Sequence, residues 1–297
     1  MGSQVANQFL ASGYKVRGTV RDTVKSAWLT ALFDGKYGSG IFELVTVKDI
    51  AVDRAYDVMK GASVFIHTAS IVTFDLDPEK VIPPTIAGAL NVGQSDDVTL
   101  DEDSYGDELI ERVETDLEPG FVRACLVYRA SKALAEKAIW DYVKETETKR
   151  PDLVANSVLP AEVFGEHPDP VNQGTPSTSA FIPALWNGQV DGLKLQHPKY
   201  AIHAQDVGLL HVAGAIHPNA NNRRLYGYAH KFNRNEILEI LRKQNPGRKL
   251  VDNFHTGETK AVIKTRSYPE QLIRDVSGHG WISLEEIVRD NARSLLV

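Results

Sequence analysis

Apolar positions recur along the chain with two different spacings, and the spacings alternate. The first apolar residues repeat at helical intervals and stop at Gly13, which predicts an N-terminal helix. Three short apolar runs then predict strands, at 16–20, 41–47 and 63–67. The run 63–67 is apolar almost throughout, as a strand covered on both faces should be. Helical stretches lie between the runs, at 26–33 and 53–59. Strands that alternate with helices predict a parallel sheet with right-handed crossovers.

The second half of the chain continues this alternation. Helical spacing predicts helices at 84–92, from about 131 to 143, and at 207–216, 233–245 and 284–295. A strand is predicted at 154–159, and the runs 193–202 and 224–228 are candidates for two more.

Two features depart from the usual order of such a sheet. The chain opens on a helix with no strand before it, and nothing between 91 and 125 has the pattern of a buried strand. The predicted fold is therefore a Rossmann-like α/β doubly wound parallel sheet that lacks its first strand and one inner strand, joined to a smaller C-terminal domain. Residues 96–118 are strongly acidic, which is typical of a solvated face or loop.

Composition narrows the function classes. The 297 residues carry a formal net charge of −6, so no nucleic-acid partner is expected. No apolar run approaches the roughly 18 residues of a membrane helix, and no signal peptide is recognisable, so no membrane association is expected. The single cysteine, Cys125, suits a reducing compartment, and cytoplasmic localisation is the default expectation. No His-Glu-x-x-His motif occurs among the nine histidines, and no metal site is predicted.

The clearest candidate chemistry lies at Tyr128 and Lys132, which share one face of a helix at this spacing. A nearby cation favours phenolate and lowers the tyrosine pKa, which suits proton exchange with a carbonyl or alcohol oxygen. The same spacing occurs by chance at Tyr56 and Lys60. Tyr56 precedes the predicted strand 63–67 and so lies away from the strand ends where such sheets bind ligands. Tyr128, in contrast, follows a turn and opens a long amphipathic helix, although a purely structural role for it stays open.

Basic residues follow the strand 16–20, which is the second expected strand of the fold. In dinucleotide-binding folds an acidic residue at that position binds the 2′-hydroxyl of NAD, whereas arginine accommodates the 2′-phosphate of NADP. Arg21 is the best phosphate partner, and Lys25 is a point charge beside it. A solvated charged turn is the alternative interpretation. After 63–67, the small residues Thr68 and Ala69 suit a close cofactor approach or a plain strand exit.

Several motifs in this order resemble the extended short-chain dehydrogenase/reductases, within the NAD(P)-dependent epimerase/dehydratase family. The resemblance covers nearly the whole chain and is strongest to the dihydroflavonol reductase-like branch, which includes fungal aldehyde and methylglyoxal reductases. The matching segments are Val-Arg-Gly-Thr-Val-Arg-Asp at 16–22, Asp-Ile at 49–50, His-Thr-Ala-Ser at 67–70, Tyr-Arg-Ala-Ser-Lys at 128–132 with Ala-Leu-Ala-Glu after it, and Pro-Ala-Glu-Val-Phe-Gly at 160–165.

The resemblance implies a role for each matching residue. It implies that Tyr128 is the proton donor and that Lys132 holds the nicotinamide ribose and lowers the tyrosine pKa. The other implied cofactor contacts are Arg21 and Lys25 at the 2′-phosphate, Asp49 and Ile50 at the adenine, Thr68 and Ala69 along the cofactor, Gly2 at the pyrophosphate, and Pro160 and Val163 at the nicotinamide. Ser-Thr-Ser at 177–179 resembles a family segment near cofactor and substrate. NADPH is favoured over NADH.

The implied function is NADPH-dependent reduction of an aldehyde or ketone on a small organic molecule, with secondary metabolism as one setting, by a monomer or homodimer. Residues 1–165 are expected to form the dinucleotide-binding domain. Residues 166–297 are expected to form mainly the substrate domain, with some elements returning to the first. A non-catalytic reductase-like protein and a sugar-nucleotide epimerase or dehydratase are the alternatives.

Two family features are missing from the sequence. The family opens with a strand and Gly-x-x-Gly-x-x-Gly, of which Gly2 matches the last glycine alone. It also has a strand ending in a catalytic Ser or Thr upstream of the tyrosine, whereas here residues 87–92 pass directly into 94–97. An incomplete coding sequence and a degenerate relative both explain these gaps, and the intact remaining motifs slightly favour the first.

Overall fold

The computed structural model describes residues 1–49, 57–69, 77–78, 80–81, 99–115, 119–148, 150–194, 200–256 and 261–296. Within them the helices are α1 (Gly2–Ala11), α2 (Ala27–Tyr37), α3 (Asp107–Thr115), α4 (Phe121–Thr146), α5 (Pro170–Gln173), α6 (Phe181–Trp186), α7 (Asp191–Lys194), α8 (Ala204–Ile216), α9 (Arg234–Gln244), α10 (Ser267–Ser277) and α11 (Leu284–Ala292). Turns of 3₁₀ helix cover Ser177–Ala180 and Arg293–Leu295. The strands are β1 (Val16–Val20), β2 (Phe42–Thr46), β3 (Thr99–Leu100), β4 (Ser157–Pro160), β5 (Glu162–Phe164), β6 (Tyr200–His203), β7 (Arg224–Gly227), β8 (His230–Lys231) and β9 (Val262–Ile263).

Parallel pairing dominates the described strands, which form small separate sheets. Strands β1 and β2 pair in parallel from Val16 opposite Phe42 to Val20 opposite Thr46. Strands β4 and β7 pair in the same way, as do β3 with β9 and β5 with β6, and β8 joins β6 antiparallel. The α/β class and the parallel topology expected from the sequence are therefore confirmed.

The early elements match their predictions closely. The helix predicted to stop at Gly13 ends at Ala11, and Gly13 adopts a φ of +84°, a left-handed conformation that favours glycine. Strands β1 and β2 and helix α2 fall where the apolar pattern placed them. In the C-terminal half, α8, α9 and α11 are also confirmed, and Asn233 and Ser283 begin α9 and α11 with complete capping boxes.

One predicted element is wrong, and two others are present with different boundaries. The segment 63–67 is not a strand, and Val64 and Phe65 are 41% and 53% exposed, because no described strand lies beside it to complete a ladder. The helix expected to begin near 131 begins at Phe121, so Tyr128 lies in its third turn and does not open it. Residue 193 belongs to helix α7, and the strand there begins only at Tyr200.

Some predictions lie outside the described residues. These are Ile50, most of the helix 53–59, the helix 84–92, and the junction before 96 where the catalytic-serine strand was expected to be missing. The described part of the acidic stretch forms β3, a loop and α3. Helix α3 buries Leu109 and Val113 and exposes its acidic face to solvent, as the solvated-face interpretation predicts.

Helices α1 and α8 pack closely, and this contact sets the position of the α1 N-terminus. A Cβ atom at Gly208 would lie 2.5 Å from the Gln8 Cγ and 2.9 Å from the Gln4 carbonyl oxygen. Glycine is therefore required at this crossing, since any side chain would push the helices apart. None of the described helices has the length and apolar character needed to cross a bilayer.

Candidate active site

Tyr128 and Lys132 form a buried pair on helix α4. The Lys132 Nζ lies 5.3 Å from the centroid of the Tyr128 ring, and the Lys132 side chain is fully buried. Burial raises the pKa of Tyr128 and lowers the pKa of Lys132 to about 8, because burial favours the uncharged form of each group. Burial sets the direction of the Tyr128 pKa shift in this structure, and the lowering expected from the cation is not seen. A phenol that keeps its proton at neutral pH is suited to donate it.

Helix α4 is fixed to the sheet one turn beyond Lys132. The fully buried Glu136 carboxylate accepts hydrogen bonds from the Arg224 Nε and Nη2 on β7, each at 2.8 Å. The Ser157 hydroxyl on β4 also donates to Glu136. Within α4, the Ser131 hydroxyl donates to the Tyr128 carbonyl at 2.6 Å. The register and depth of the tyrosine and lysine are therefore set by a buried ion pair.

His67 brings a second titratable group close to this pair. Its Nε2 is buried and has no hydrogen-bond partner within the described structure. Burial lowers the pKa of His67, and the charge on Lys132 lowers it further, so the imidazole lies within the field of the lysine. The next residue, Thr68, lies against the N-terminus of α1, because a Cβ at Gly2 would stand 3.1 Å from the Thr68 Oγ1. The exposed Ala69 follows.

A second group of predicted residues lies at the carboxyl edge of β1 and β2. Arg21 directly follows β1, and the exposed Asp49 follows β2. Arg21 and Lys25 are both exposed, and neither forms an ion pair within the described residues. Asp22 instead has a structural role, since its Oδ1 accepts hydrogen bonds from the amides of Val24 and Lys25. The two cations are therefore held on an ordered turn and remain open to an anion.

The residues predicted beside the nicotinamide lie at the end of β4 and within β5. Pro160 ends β4, where its Cα would contact a Cβ at Gly227 at 3.3 Å, and Val163 is the middle residue of β5. The Val163 carbonyl accepts a hydrogen bond of 3.0 Å from the Thr178 hydroxyl. This bond seats the segment 177–180 against β5, and Ser177 in it adopts a φ of +56°. A left-handed conformation at a serine is strained and occurs more often at functional sites.

Three residues of the site region were not predicted from the sequence. Arg224 begins the candidate strand 224–228, and an arginine that is buried in a strand requires a carboxylate partner. Asn291 on α11 accepts from the Gly165 amide at 3.1 Å and donates to the Ser179 carbonyl at 3.0 Å, but nothing in its local sequence indicated this. Nothing in the local sequence of His167 indicated its contact with Ser179 either.

These groups fit a nicotinamide dinucleotide phosphate. The α1 N-terminus, with no side chain at Gly2, offers backbone amides next to Thr68, as an approaching pyrophosphate requires. The open cations Arg21 and Lys25 suit a phosphate on the adenosine ribose. The buried His67 Nε2, which has no hydrogen-bond partner in the described structure, and the Tyr128–Lys132 pair are further polar groups that suit such a cofactor. No group of three metal-ligating side chains comes together in the described part of the chain.

Comparison with known proteins supplies the relatives of this chain. No family model matches it. It is 33% identical over 319 residues to aldehyde reductase 2 of Sporidiobolus salmonicolor, covering 98% of this chain and 91% of that protein. It is 30% identical over 326 residues to a Candida albicans protein named for NADPH-dependent reduction of methylglyoxal, covering 98% and 94%. The crystal structure of Gre2 from Candida albicans with NADPH superposes with a TM-score of 0.76 at 22% identity, covering 99% of this chain and 94% of that one.

Proposed function

The chain belongs to the extended short-chain dehydrogenase/reductases, and from this premise we propose that it reduces an aldehyde or ketone on a small organic molecule with NADPH. NADPH, when bound, supplies the hydride for the carbonyl carbon. Tyr128 donates the proton that the carbonyl oxygen takes up. The chain is thus an oxidoreductase of the carbonyl reductase type.

The observation that carries this proposal is the burial of Tyr128 beside Lys132. Burial raises the pKa of the phenol, so Tyr128 keeps its proton at neutral pH as an ordinary tyrosine does, and its position beside Lys132 suits it to act as the acid. With its pKa lowered to about 8, Lys132 is mostly cationic at pH 7, and its ammonium can donate to ribose hydroxyls. As the proton leaves Tyr128, the adjacent cation stabilises the phenolate that forms.

The remaining predicted residues hold the cofactor in this proposal. Arg21 and Lys25 bind the 2′-phosphate, Asp49 lies beside the adenine, and Gly2 lets the pyrophosphate approach α1. The other contacts are those of Thr68 and Ala69 along the cofactor, and of Pro160 and Val163 at the nicotinamide. Two open cations where an NAD enzyme has a carboxylate favour a reductase over a sugar-nucleotide epimerase with resident NAD.

The wider organisation is proposed on the same basis. Residues 1–165 hold the cofactor, and residues 166–297 supply mainly the substrate side, where the largest apolar core lies around α6, α9 and α11. We place the protein in the cytoplasm because a single cysteine suits a reducing compartment. It acts as a monomer or homodimer.

Cofactor titration followed by turnover tests the proposal. Binding to the purified protein should quench the fluorescence of NADPH, and the dissociation constant should be lower for NADPH than for NADH. It should then oxidise NADPH with members of a panel of aldehydes, ketones and diketones. If NADPH neither binds nor is oxidised with any member of the panel, the proposed function is wrong. Release of NAD from heat-denatured protein would instead favour the epimerase alternative.

A further inference from the structure

His167 lies where the cofactor half of the molecule meets the substrate half. It follows Gly165, whose amide donates to the Asn291 side chain, and Glu166, whose carbonyl accepts from the Gln4 side chain of α1 at 2.9 Å. Burial lowers the pKa of His167, and the positive charge at the start of α1 lowers it further, so the imidazole is close to that helix end. Its other neighbour is Ser179, in the segment seated on Val163.

Hydrogen bonding at Ser179 determines which nitrogen of His167 carries the proton. The Ser179 Oγ lies 2.5 Å from the Pro176 carbonyl oxygen and 3.1 Å from the His167 Nε2. A carbonyl oxygen can only accept, so the serine hydroxyl hydrogen points to Pro176. The serine oxygen therefore accepts from His167, and the proton of the neutral imidazole resides on Nε2.

The other ring nitrogen, Nδ1, is then an unprotonated acceptor. Burial lowers the pKa of His167, which keeps the ring neutral at pH 7. Nδ1 accepts no hydrogen bond from the described residues. It is also not one of the fully buried side-chain atoms that lack a hydrogen-bond partner there, so it is accessible. The half-buried imidazole thus holds an accessible lone pair that is open to a ligand donor.

The surroundings of His167 are rigid. Asn291, which is 1% exposed, bridges the Gly165 amide and the Ser179 carbonyl, so α11 ties together the two segments on either side of the imidazole. The Thr178 hydroxyl ties the same segment to β5. A fixed acceptor discriminates between ligands more strongly than a mobile one, because no ordering entropy is lost on binding.

We propose that His167 is a specificity-determining residue, whose Nδ1 accepts a hydrogen bond from a hydroxyl or N–H group that the substrate carries near its carbonyl. This inference rests on the proposed reductase function and adds a substrate class to it. Carbonyl compounds with a neighbouring hydroxyl are preferred over those with a methyl group in its place, since the latter would leave the acceptor without a partner.

The activity test compares hydroxyacetone with butanone, in which a methyl group replaces the hydroxyl. The readout is the ratio of the two kcat/KM values, which cancels losses common to both substrates. His167→Phe and His167→Gln should lower this ratio about tenfold, as expected for one neutral hydrogen bond. His167→Asn, whose Oδ1 can take the place of Nδ1, should recover much of it. His255→Gln, at an exposed histidine, is the matched control and should keep the ratio.

Each other outcome is decisive. An unchanged ratio in His167→Phe overturns the inference and leaves the proposed function standing. If the ratio is unchanged and the dissociation constant of NADPH rises, the imidazole serves the cofactor, and the inference is again overturned. A wild-type protein that reduces no carbonyl compound overturns the proposed function and this inference with it.

Nitrogen NMR of protein labelled with ¹⁵N-histidine tests the tautomer without turnover. At pH 7 the His167 resonances, assigned by their loss in His167→Gln, should show a protonated Nε2 and an unprotonated Nδ1. Hydroxyacetone added with NADP⁺ should shift the Nδ1 resonance more than butanone does. In Ser179→Ala the two tautomers should mix. A protonated Nδ1 in the wild-type protein would overturn the inference.

Discussion

Replacing Glu136 with glutamine removes the charge that holds helix α4 on the sheet and leaves the volume almost unchanged. The Glu136 carboxylate is fully buried and accepts two hydrogen bonds of 2.8 Å from Arg224. The glutamine amide would turn N–H groups toward either the guanidinium or the Ser157 hydroxyl. Arg224 would also keep its bonds to the carbonyl oxygens of Glu102 and Ser104, so the cation stays buried without a counter-charge.

Breaking a buried ion pair by removing one partner costs about 3–5 kcal/mol. In a domain of this size each kcal/mol corresponds to roughly 2–4 °C in Tm, so Glu136→Gln should unfold about 10 °C below the wild-type protein. Removing both charges, as Glu136→Met with Arg224→Met, should restore much of the loss, because no buried charge then remains unpaired. Scanning calorimetry and urea titration measure both variants.

The matched control is Asp152→Asn. Asp152 accepts two hydrogen bonds of 3.0 Å from Arg150, so the geometry is similar, but both side chains are exposed. Exposed pairs contribute little, and this variant should unfold at the wild-type temperature. Equal Tm values for Glu136→Gln and Asp152→Asn would refute the reasoning, since burial would then not determine the cost.

Three further predictions concern the cofactor and pH. Arg21→Gln should raise the Kd of NADPH about 10- to 100-fold and leave that of NADH unchanged, as expected for a lost charge-assisted hydrogen bond. Arg17→Gln is its control, because the Arg17 guanidinium already binds Glu43 at 2.6 Å, and equal effects in fluorescence titrations would contradict the assignment. Burial lowers the pKa of Lys132 to about 8 from 10.5. Between pH 8 and 10.5 Lys132 is therefore protonated in the unfolded chain and mostly neutral in the folded protein, so its contribution to the free energy of unfolding rises with pH. Lys132→Met should flatten that rise in urea titrations. Burial raises the pKa of Asp206 from 3.8 to about 7. Between pH 4 and 7 the folded state binds the extra proton, so the contribution of Asp206 to stability falls as pH rises. The Tm difference between Asp206→Asn and the wild-type protein should therefore shift in favour of the variant between pH 5 and pH 7.5. Parallel Tm profiles of the two proteins would contradict this.

Local patterns predicted the elements whose boundaries are set by nearby residues. The first helix with its stop at Gly13, strands β1 and β2, and the capped helices after Asn233 and Ser283 all depend on spacing and on caps within a few positions. The prediction of a strand at 63–67 was wrong because a strand needs a neighbouring strand to pair with, and apolar composition alone does not supply one.

The proximity of Tyr128 and Lys132 was predictable from the sequence, whereas the electrostatics of the pair were not. Tyr128 and Lys132 could be paired from their spacing, but the direction of the tyrosine pKa shift depends on burial, which the spacing does not show. The anchor between Glu136 and Arg224 joins positions 88 residues apart, and the Asn291 bridge joins positions 112 and 126 apart. Such contacts form only once the fold brings the segments together.

The most direct test of the account is the rate of NADPH oxidation in a single turnover by Tyr128→Phe. With enzyme in excess and saturating carbonyl substrate, Tyr128→Phe should be slower than the wild-type protein by about 10²–10⁴-fold, the usual contribution of a positioned acid, while NADPH still binds. Tyr142→Phe, at a tyrosine of the same helix that is 61% exposed, should react at the wild-type rate. A Tyr128→Phe protein that oxidises NADPH as fast as the wild-type protein would contradict the central claim that Tyr128 supplies the proton.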